Sequence, residues 1–170
     1  MGLNERWEDV YVAHYARLVV LVTAVCGSTA DAEEAVQEAF ARALAHDLGG
    51  ERIADPLAWL YRVARNVALS RFRRIATAIK HAPVLRASEH APDAGDRVDD
   101  RLYLLTELRR LPLPQREALV LFHMADWSVE AIAQHQAVPT GTVKARLARG
   151  RAALARGGPP VPDDAEGVTR

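Results

Sequence analysis

Apolar residues recur along this chain at intervals of three and four, and no segment sustains the every-other-residue alternation of a half-buried strand. Proline and glycine cut this periodicity into blocks. Residues 5–25 form the first block, closed by Cys26 and Gly27. Ser28, with Asp31 three residues on, matches a capping box for a second helix at about Thr29–His46, which Gly49 and Gly50 end. Asp55 and Pro56 supply an N-cap and a proline at the first helical position of a third helix running to about Ile75. Residues 76–98 hold Pro83, Pro92 and Gly95 without a clear period and read as a flexible linker. A second periodic unit begins near Asp99, breaks at Pro112 and Pro114, and resumes as a helix at Gln115–Met124. The pattern predicts an all-α chain of two small helical domains, residues 1–75 and 99–156, joined by the linker at 76–98 and followed by a disordered tail at 157–170.

The stretch 128–151 carries the most specific pattern. Ser128 is a candidate N-cap with Glu130 in the first turn, and Val129, Ile132 and Ala133 share one helical face. Pro139 breaks the run, because the residue before a proline is pushed out of helical geometry. Thr140, Gly141 and Thr142 then restart a helix that carries Lys144, Arg146, Arg149, Arg151 and Arg156. Two short helices with so tight a turn form a helix-turn-helix, in which the second helix enters the major groove of DNA.

Composition adds a charge map. The chain has 170 residues, 49% of them hydrophobic, with 22 basic and 22 acidic side chains and no net charge. That balance is unevenly spread: the 22 charges of either sign include seven bases and no acid over 56–88, and five bases and no acid over 131–162. Residues 29–55 hold seven acids against two bases, and residues 89–107 six against two. Two basic and two acidic surfaces suit a protein with different partners on different faces. Cys26 stands alone, so no disulfide framework or cysteine metal site is expected, and the six histidines form no metal pair. The apolar run Val10–Val25 contains His14 and Arg17 and reads as too short for a membrane span, and no signal peptide pattern opens the chain. These features predict a soluble cytoplasmic protein without cofactor or metal. No serine–histidine–aspartate set, phosphate loop or carboxylate pair has a supporting context, which argues against an enzyme.

On a helical wheel of the third helix, Arg62, Arg65, Asn66, Leu69 and Arg73 fall within a stripe about 100° wide, with Leu60, Val63, Ala64 and Val67 opposite. Arg71 and Arg74 extend the charge toward the C-terminal turn, where cations suit the helix dipole. Trp59, Tyr61 and Phe72 interleave with these cations. Arginines supply phosphate contacts, whereas an asparagine amide and aromatic faces suit exposed single-stranded bases. Taken singly, Trp59 and Phe72 read better as core residues. The second helix has the opposite character. Glu33, Glu34, Gln37 and Glu38 crowd its polar side beside Phe40, which fits either a solvated face or a protein-binding one.

Three blocks together resemble the extracytoplasmic-function (group IV, sigma-70 family) sigma factors of bacterial RNA polymerase. They are DAEEAVQEAF at 31–40, DPLAWLYRVARNVALSRFRR at 55–74, and LPLPQREALVLFHMADWSVEAIA with GTVKARLARGR at 111–133 and 141–151. The likeness spans roughly 8–156, and the order and spacing of the blocks make it specific. It implies a region 2-like first domain and a region 4-like second domain. Glu33, Glu34, Gln37, Glu38 and Phe40 would grip the clamp helices of the largest subunit of core RNA polymerase. The loop at 46–54, with Trp59, Arg62, Arg65, Asn66, Arg73 and Arg74, would read and open the minus-10 promoter element, Asn66 contacting an unpaired base. Thr140, Thr142, Lys144, Arg146, Arg149 and Arg151 would meet the minus-35 element, and the linker would thread near the polymerase active-site and exit channels. The resemblance also brings an anti-sigma factor as a candidate partner. The implied function is an alternative-type sigma factor that directs promoter recognition, melting and initiation.

The chain departs from the family pattern at five places. Ser70 stands where aspartate is usual, Ala137 where the turn commonly has glycine, and Gly150 where alanine is usual. Ala145 and Ala148 occupy groove-facing positions that often carry larger side chains. Two other readings use the same residues: a helix-turn-helix regulator that is not a polymerase subunit, and a degenerate sigma-like chain that only titrates a partner.

Overall fold

The computed structural model describes the backbone of residues 3–49, 53–81 and 96–157, and side chains over 6–49, 53–71 and 101–156. Among these residues it is entirely helical apart from turns and caps, with seven helices and no strand. The chain divides into two units, residues 1–95 and 96–170. The side chains of Phe72, Arg73 and Arg74, the loop at 50–52, the heart of the linker at 82–95 and the tail at 158–170 lie outside the described residues.

The first unit packs α1 (Leu3–Cys26), α2 (Thr29–Leu48) and α3 (Pro56–His81) pairwise around one core. Capping follows the sequence pattern: Ser28 Oγ accepts from Asp31 N at 3.2 Å, and Asp55 Oδ1 accepts from Ala58 N at 3.0 Å. Each such cap contributes about 1 kcal/mol. The buried side of α2 is mostly alanine: Ala32, Ala35, Ala39 and Ala43, with Val36, are all fully buried. Small side chains there let α1 and α3 approach closely, and the larger ones come from the neighbours: Leu18, Leu21, Val22 and Val25 of α1 and Leu60 and Tyr61 of α3.

α1 corrects one expectation. Its stretch Arg6–Cys26 is long and apolar enough to cross a membrane, with a mean hydropathy of 1.5. The helix extends beyond the apolar run that the sequence pattern delimits; Trp7, Leu18, Leu21, Val22 and Val25 face the core of the three-helix unit, while Tyr11 and Val12 stay exposed. α3 also runs past its expected end to His81, and α4 begins at Asp96, three residues early. No proline or glycine stands between Ile75 and Pro83 to stop α3, and three aspartates at 96, 99 and 100 suit the N-terminus of α4.

The second unit contains α4 (Asp96–Arg110), α5 (Leu113–His123), α6 (Val129–Gln136) and α7 (Thr140–Gly157). α5 starts at Leu113 with Pro112 as its cap residue and proline in its first turn, where a missing N–H costs nothing. Leu119, Val120, Leu121, Ile132, Val143 and Leu147 form the core. Ser128 caps α6, its Oγ accepting from Ala131 N at 3.1 Å. α6 ends at Ala137 in the left-handed conformation (φ 52°, ψ 48°), and Val138 N then donates to Ala133 O at 3.0 Å. A left-handed alanine is strained by about 1–2 kcal/mol, so the turn keeps its shape against local preference because the packing of α6 and α7 holds both ends.

Candidate nucleic-acid and protein interfaces

α7 has two faces. Val143, Leu147 and Gly150 are buried against α5 and α6, while Thr140, Gly141, Lys144, Ala145, Ala148, Arg149 and Arg151 are exposed. Thr142 is half-buried. Lys144 and Arg149 have no acidic partner among the described residues, and α7 itself contains no acid. Its exposed face is therefore a row of cations alternating with small side chains, a shape that lets a helix lie close to a phosphate-lined groove. Gly150 has a packing role: a β-carbon there would sit 2.8 Å from Leu119 Cδ1. Glycine costs about 1 kcal/mol of helix propensity relative to alanine, and close approach of α7 to α5 is what offsets it.

Arg146 differs from the other cations. It is half-buried, and its Nη1 donates to Gln136 Oε1 at 2.6 Å. Gln136 Nε2 in turn donates to Pro114 O at 3.1 Å and to Glu117 Oε2 at 3.3 Å. The other carboxylate oxygen of Glu117 lies 3.0 Å from His135 Nε2, where the imidazole N–H donates to it. Glu117 is 2% exposed, so this carboxylate survives burial only because it is hydrogen-bonded on both oxygens. Trp127 stands edge-on to His135 at 5.5 Å. Helical spacing reveals none of this, because Glu117 reads as an ordinary polar position of α5 and Gln136 as a helix-end residue.

In the first unit the described part of the expected basic stripe, Arg62 to Leu69, reaches solvent to differing degrees. Arg62 and Asn66 are exposed, Trp59 and Arg65 half-buried. Arg65 Nη1 donates to Asn66 Oδ1 at 3.0 Å. Trp59 sets its ring against His46 at 5.7 Å, tying the start of α3 to the end of α2. Tyr61 does not interleave with the cations: it is 1% exposed and belongs to the core. Among the described side chains of α3 the buried positions are Leu60, Tyr61, Ala64 and Ala68, and Val63 and Val67 are only half-buried. α3 packs on both α1 and α2, so its apolar face is rotated from the one that hydrophobicity alone suggests.

The acidic residues of α2 separate into two groups. Glu34 pairs with Arg71 of α3, and Glu38 bonds Arg42 at 2.9 Å. Glu38, Arg42, Asn66, Val67, Ser70 and Arg71 line a polar hollow between α2 and α3. The exposed Glu33 and Gln37 lie toward α1, Gln37 Nε2 donating to Tyr15 Oη at 3.4 Å. Phe40 anchors an aromatic cluster there, with its ring 4.9 Å from Tyr11 and 6.4 Å from Trp7, while Tyr11 stacks on Tyr15 at 4.6 Å. Burial, then the neighbouring Tyr15, pushes the Tyr11 phenol above its usual pKa. Val12 is 84% exposed and Tyr11 40%, so an apolar groove opens beside Phe40. The spacing Trp7, Tyr11, Tyr15 holds this signal in the sequence, one aromatic per turn of α1.

A buried carboxylate also braces this unit. Asp47, at the end of α2, accepts from Trp7 Nε1 at 2.9 Å and from Arg6 Nη1 at 3.2 Å. Arg6 Nη2 reaches Ile53 O at 3.3 Å, so one guanidinium links α1, α2 and the approach to α3. No group of three or more metal-ligating side chains occurs among the described residues.

Comparison with known proteins accounts for both units. Sigma-70 region 2 matches residues 10–77, and Sigma-70 region 4 matches residues 101–154. The chain is 34% identical over 157 residues to the ECF RNA polymerase sigma factor SigM of Mycobacterium tuberculosis, covering 91% of this chain and 78% of that one. It is 31% identical over 144 residues to SigL of the same organism, covering 81% and 80%. Among solved structures, the sigma factor RpoE of Bartonella quintana, in complex with the anti-sigma factor NepR, shares the fold with a TM-score of 0.71 at 23% identity, covering 89% of this chain and 96% of that one. The chain belongs to the ECF RNA polymerase sigma factors. It is an alternative sigma factor directing transcription initiation, in a family of DNA-binding regulators rather than enzymes.

Proposed function

We propose that the two units divide promoter recognition and polymerase binding by face. Unit 2 sets α7 into the major groove of the minus-35 element, with Thr140, Thr142, Lys144, Arg149 and Arg151 toward the DNA. Unit 1 opens and reads the minus-10 element with Arg62, Asn66, Trp59 and Arg65, extended by Arg73 and Arg74. Gln37 and Phe40, flanked by Glu33 and the aromatic groove of α1, grip the clamp helices of core RNA polymerase. Glu34 and Glu38 contribute less there, since each is engaged with an arginine of its own unit. The chain carries no catalytic residue and works in the cytoplasm, where polymerase and promoter are. The complex of the related RpoE with NepR supports an anti-sigma factor as a further partner.

One observation carries this reading. A helix free of acids exposes Lys144 and Arg149 on the side opposite a locked apolar face, in the second half of a helix-turn-helix. Reconstitution of the chain with core polymerase tests it: run-off transcription from a matched promoter is expected, and the double variant Gln37→Ala, Phe40→Ala abolishes association while leaving binding of unit 2 to DNA intact. Association that survives the double change removes the assignment of the α2 face. Binding to promoter DNA without any association with polymerase would favour the helix-turn-helix regulator instead.

A further inference from the structure

We infer that Arg146 is a positioning residue and not a DNA contact: through Gln136 and the buried Glu117 it sets the rotation of the recognition helix relative to α5 and α6. This rests on the reading of α7 as the groove helix.

Hydrogen-bond chemistry leaves the network a single arrangement. A guanidinium only donates, whereas a carboxylate and a backbone carbonyl only accept. Gln136 stands between them. Its Nε2 faces two acceptors, Pro114 O at 3.1 Å and Glu117 Oε2 at 3.3 Å, so its Oε1 must face the donor, Arg146 Nη1 at 2.6 Å. Flipping the amide would set donor against donor and acceptor against acceptor. Glu117 cannot shift to relieve a mismatch, because it is 2% exposed and its other oxygen holds His135.

The chain of bonds runs from the rigid first turn of α5, across the end of α6, to the second turn of α7. It spans the turn at Ala137–Pro139, the one place where α7 could swivel about its strained left-handed residue. Apolar packing of Val143, Leu147 and Gly150 is non-directional and permits small rotations, whereas a bond between a guanidinium and an amide oxygen does not. Arg146 therefore holds fixed the angle at which Lys144 and Arg149 leave the surface. Its guanidinium is committed to this bond and half-buried, in contrast with the exposed Arg149.

The test uses holoenzyme assembled from the full chain, with a promoter fragment bearing a matched minus-35 element and a scrambled fragment of equal length, titrated over a range of salt. A phosphate contact contributes about 0.9 to the slope of log affinity against log salt and acts on any sequence. Arg146→Ala is expected to weaken the matched fragment about tenfold, leave the scrambled one unchanged and preserve the salt slope; Gln136→Ala should do the same, and the double variant no more than either alone. Loss on both fragments with a shallower slope for Arg146→Ala, or full binding by Gln136→Ala, overturns the inference. Circular dichroism of each variant, read beside these titrations, excludes simple unfolding of unit 2. Arg149→Ala is the control for the underlying reading: if it leaves affinity and slope unchanged, α7 is not the groove helix, and that failure is distinct from a failure of the Arg146 assignment.

Discussion

Each unit ties a buried carboxylate, Asp47 in unit 1 and Glu117 in unit 2, to neighbouring helices, and the two do so for different ends. In unit 1, Asp47 draws its partners, Trp7 and Arg6, from about forty residues earlier in the chain and closes the three-helix core. In unit 2, Glu117 collects His135 and Gln136 from the neighbouring helix and passes the constraint on to Arg146 of α7. The surfaces differ in the same sense. Unit 1 pairs much of its own charge, Glu34 with Arg71 and Glu38 with Arg42, whereas α7 leaves Lys144 and Arg149 without acidic partners among the described residues. A surface that opens DNA and also meets a protein benefits from balanced charge. A helix that only docks on a phosphate-lined groove benefits from uniform charge.

Breaking the two carboxylate clusters separates them most sharply. Loss of one partner of a buried, hydrogen-bonded charge costs about 3–5 kcal/mol, so His135→Ala should strongly destabilise unit 2 in denaturant titrations while leaving unit 1 unaffected. Asp47→Ala should act on unit 1 alone; if either change lowered both transitions equally, the two cores would not be independent. On the surfaces, Arg149→Ala should weaken minus-35 binding by about 1–3 kcal/mol, as expected for a lost base-edge contact. Asn66→Ala should leave duplex binding unchanged and slow promoter opening, measured by permanganate reactivity of the minus-10 strand. An equal effect of both variants on duplex DNA would erase the division of labour.

Two smaller effects refine the account of unit 2. Ala137→Gly relieves a left-handed alanine and should raise the stability of unit 2 by about 0.5–1 kcal/mol, net of the extra freedom glycine has in the unfolded chain. A fall in stability would mean that the turn is not held in that conformation. The smallest effect belongs to His123, whose pKa is held below 6.5 by partial burial and then by Arg151. The unfolded chain binds this proton more readily than the folded one, so stability is unaffected above about pH 6.5 and falls as pH drops below it, levelling once the folded pKa is passed. His123→Gln should flatten that part of the stability profile; an unchanged slope would assign it to another group.

Much of this was legible in advance, for reasons that differ from element to element. The caps Ser28, Asp55 and Ser128 act within three residues, so their short-range chemistry marks helix starts directly. The exposed cations of α7 follow from helical spacing and the absence of acids. The rotated apolar face of α3, the burial of Tyr61 and the split of the α2 acids were not legible, since each depends on which neighbouring helix lies on which side.

Local chemistry in the sequence thus determined the all-helical class, the two units, the helix-turn-helix and the acid-free face of its second helix, because periodicity and capping operate within a few turns. Tertiary structure alone decided that Gly150 admits Leu119, that Phe40 joins an aromatic groove and that Glu117 reaches Arg146 through Gln136. Those contacts join residues brought together by packing, and a buried polar group has no periodic signature: only the arrangement of its neighbours shows whether it is satisfied.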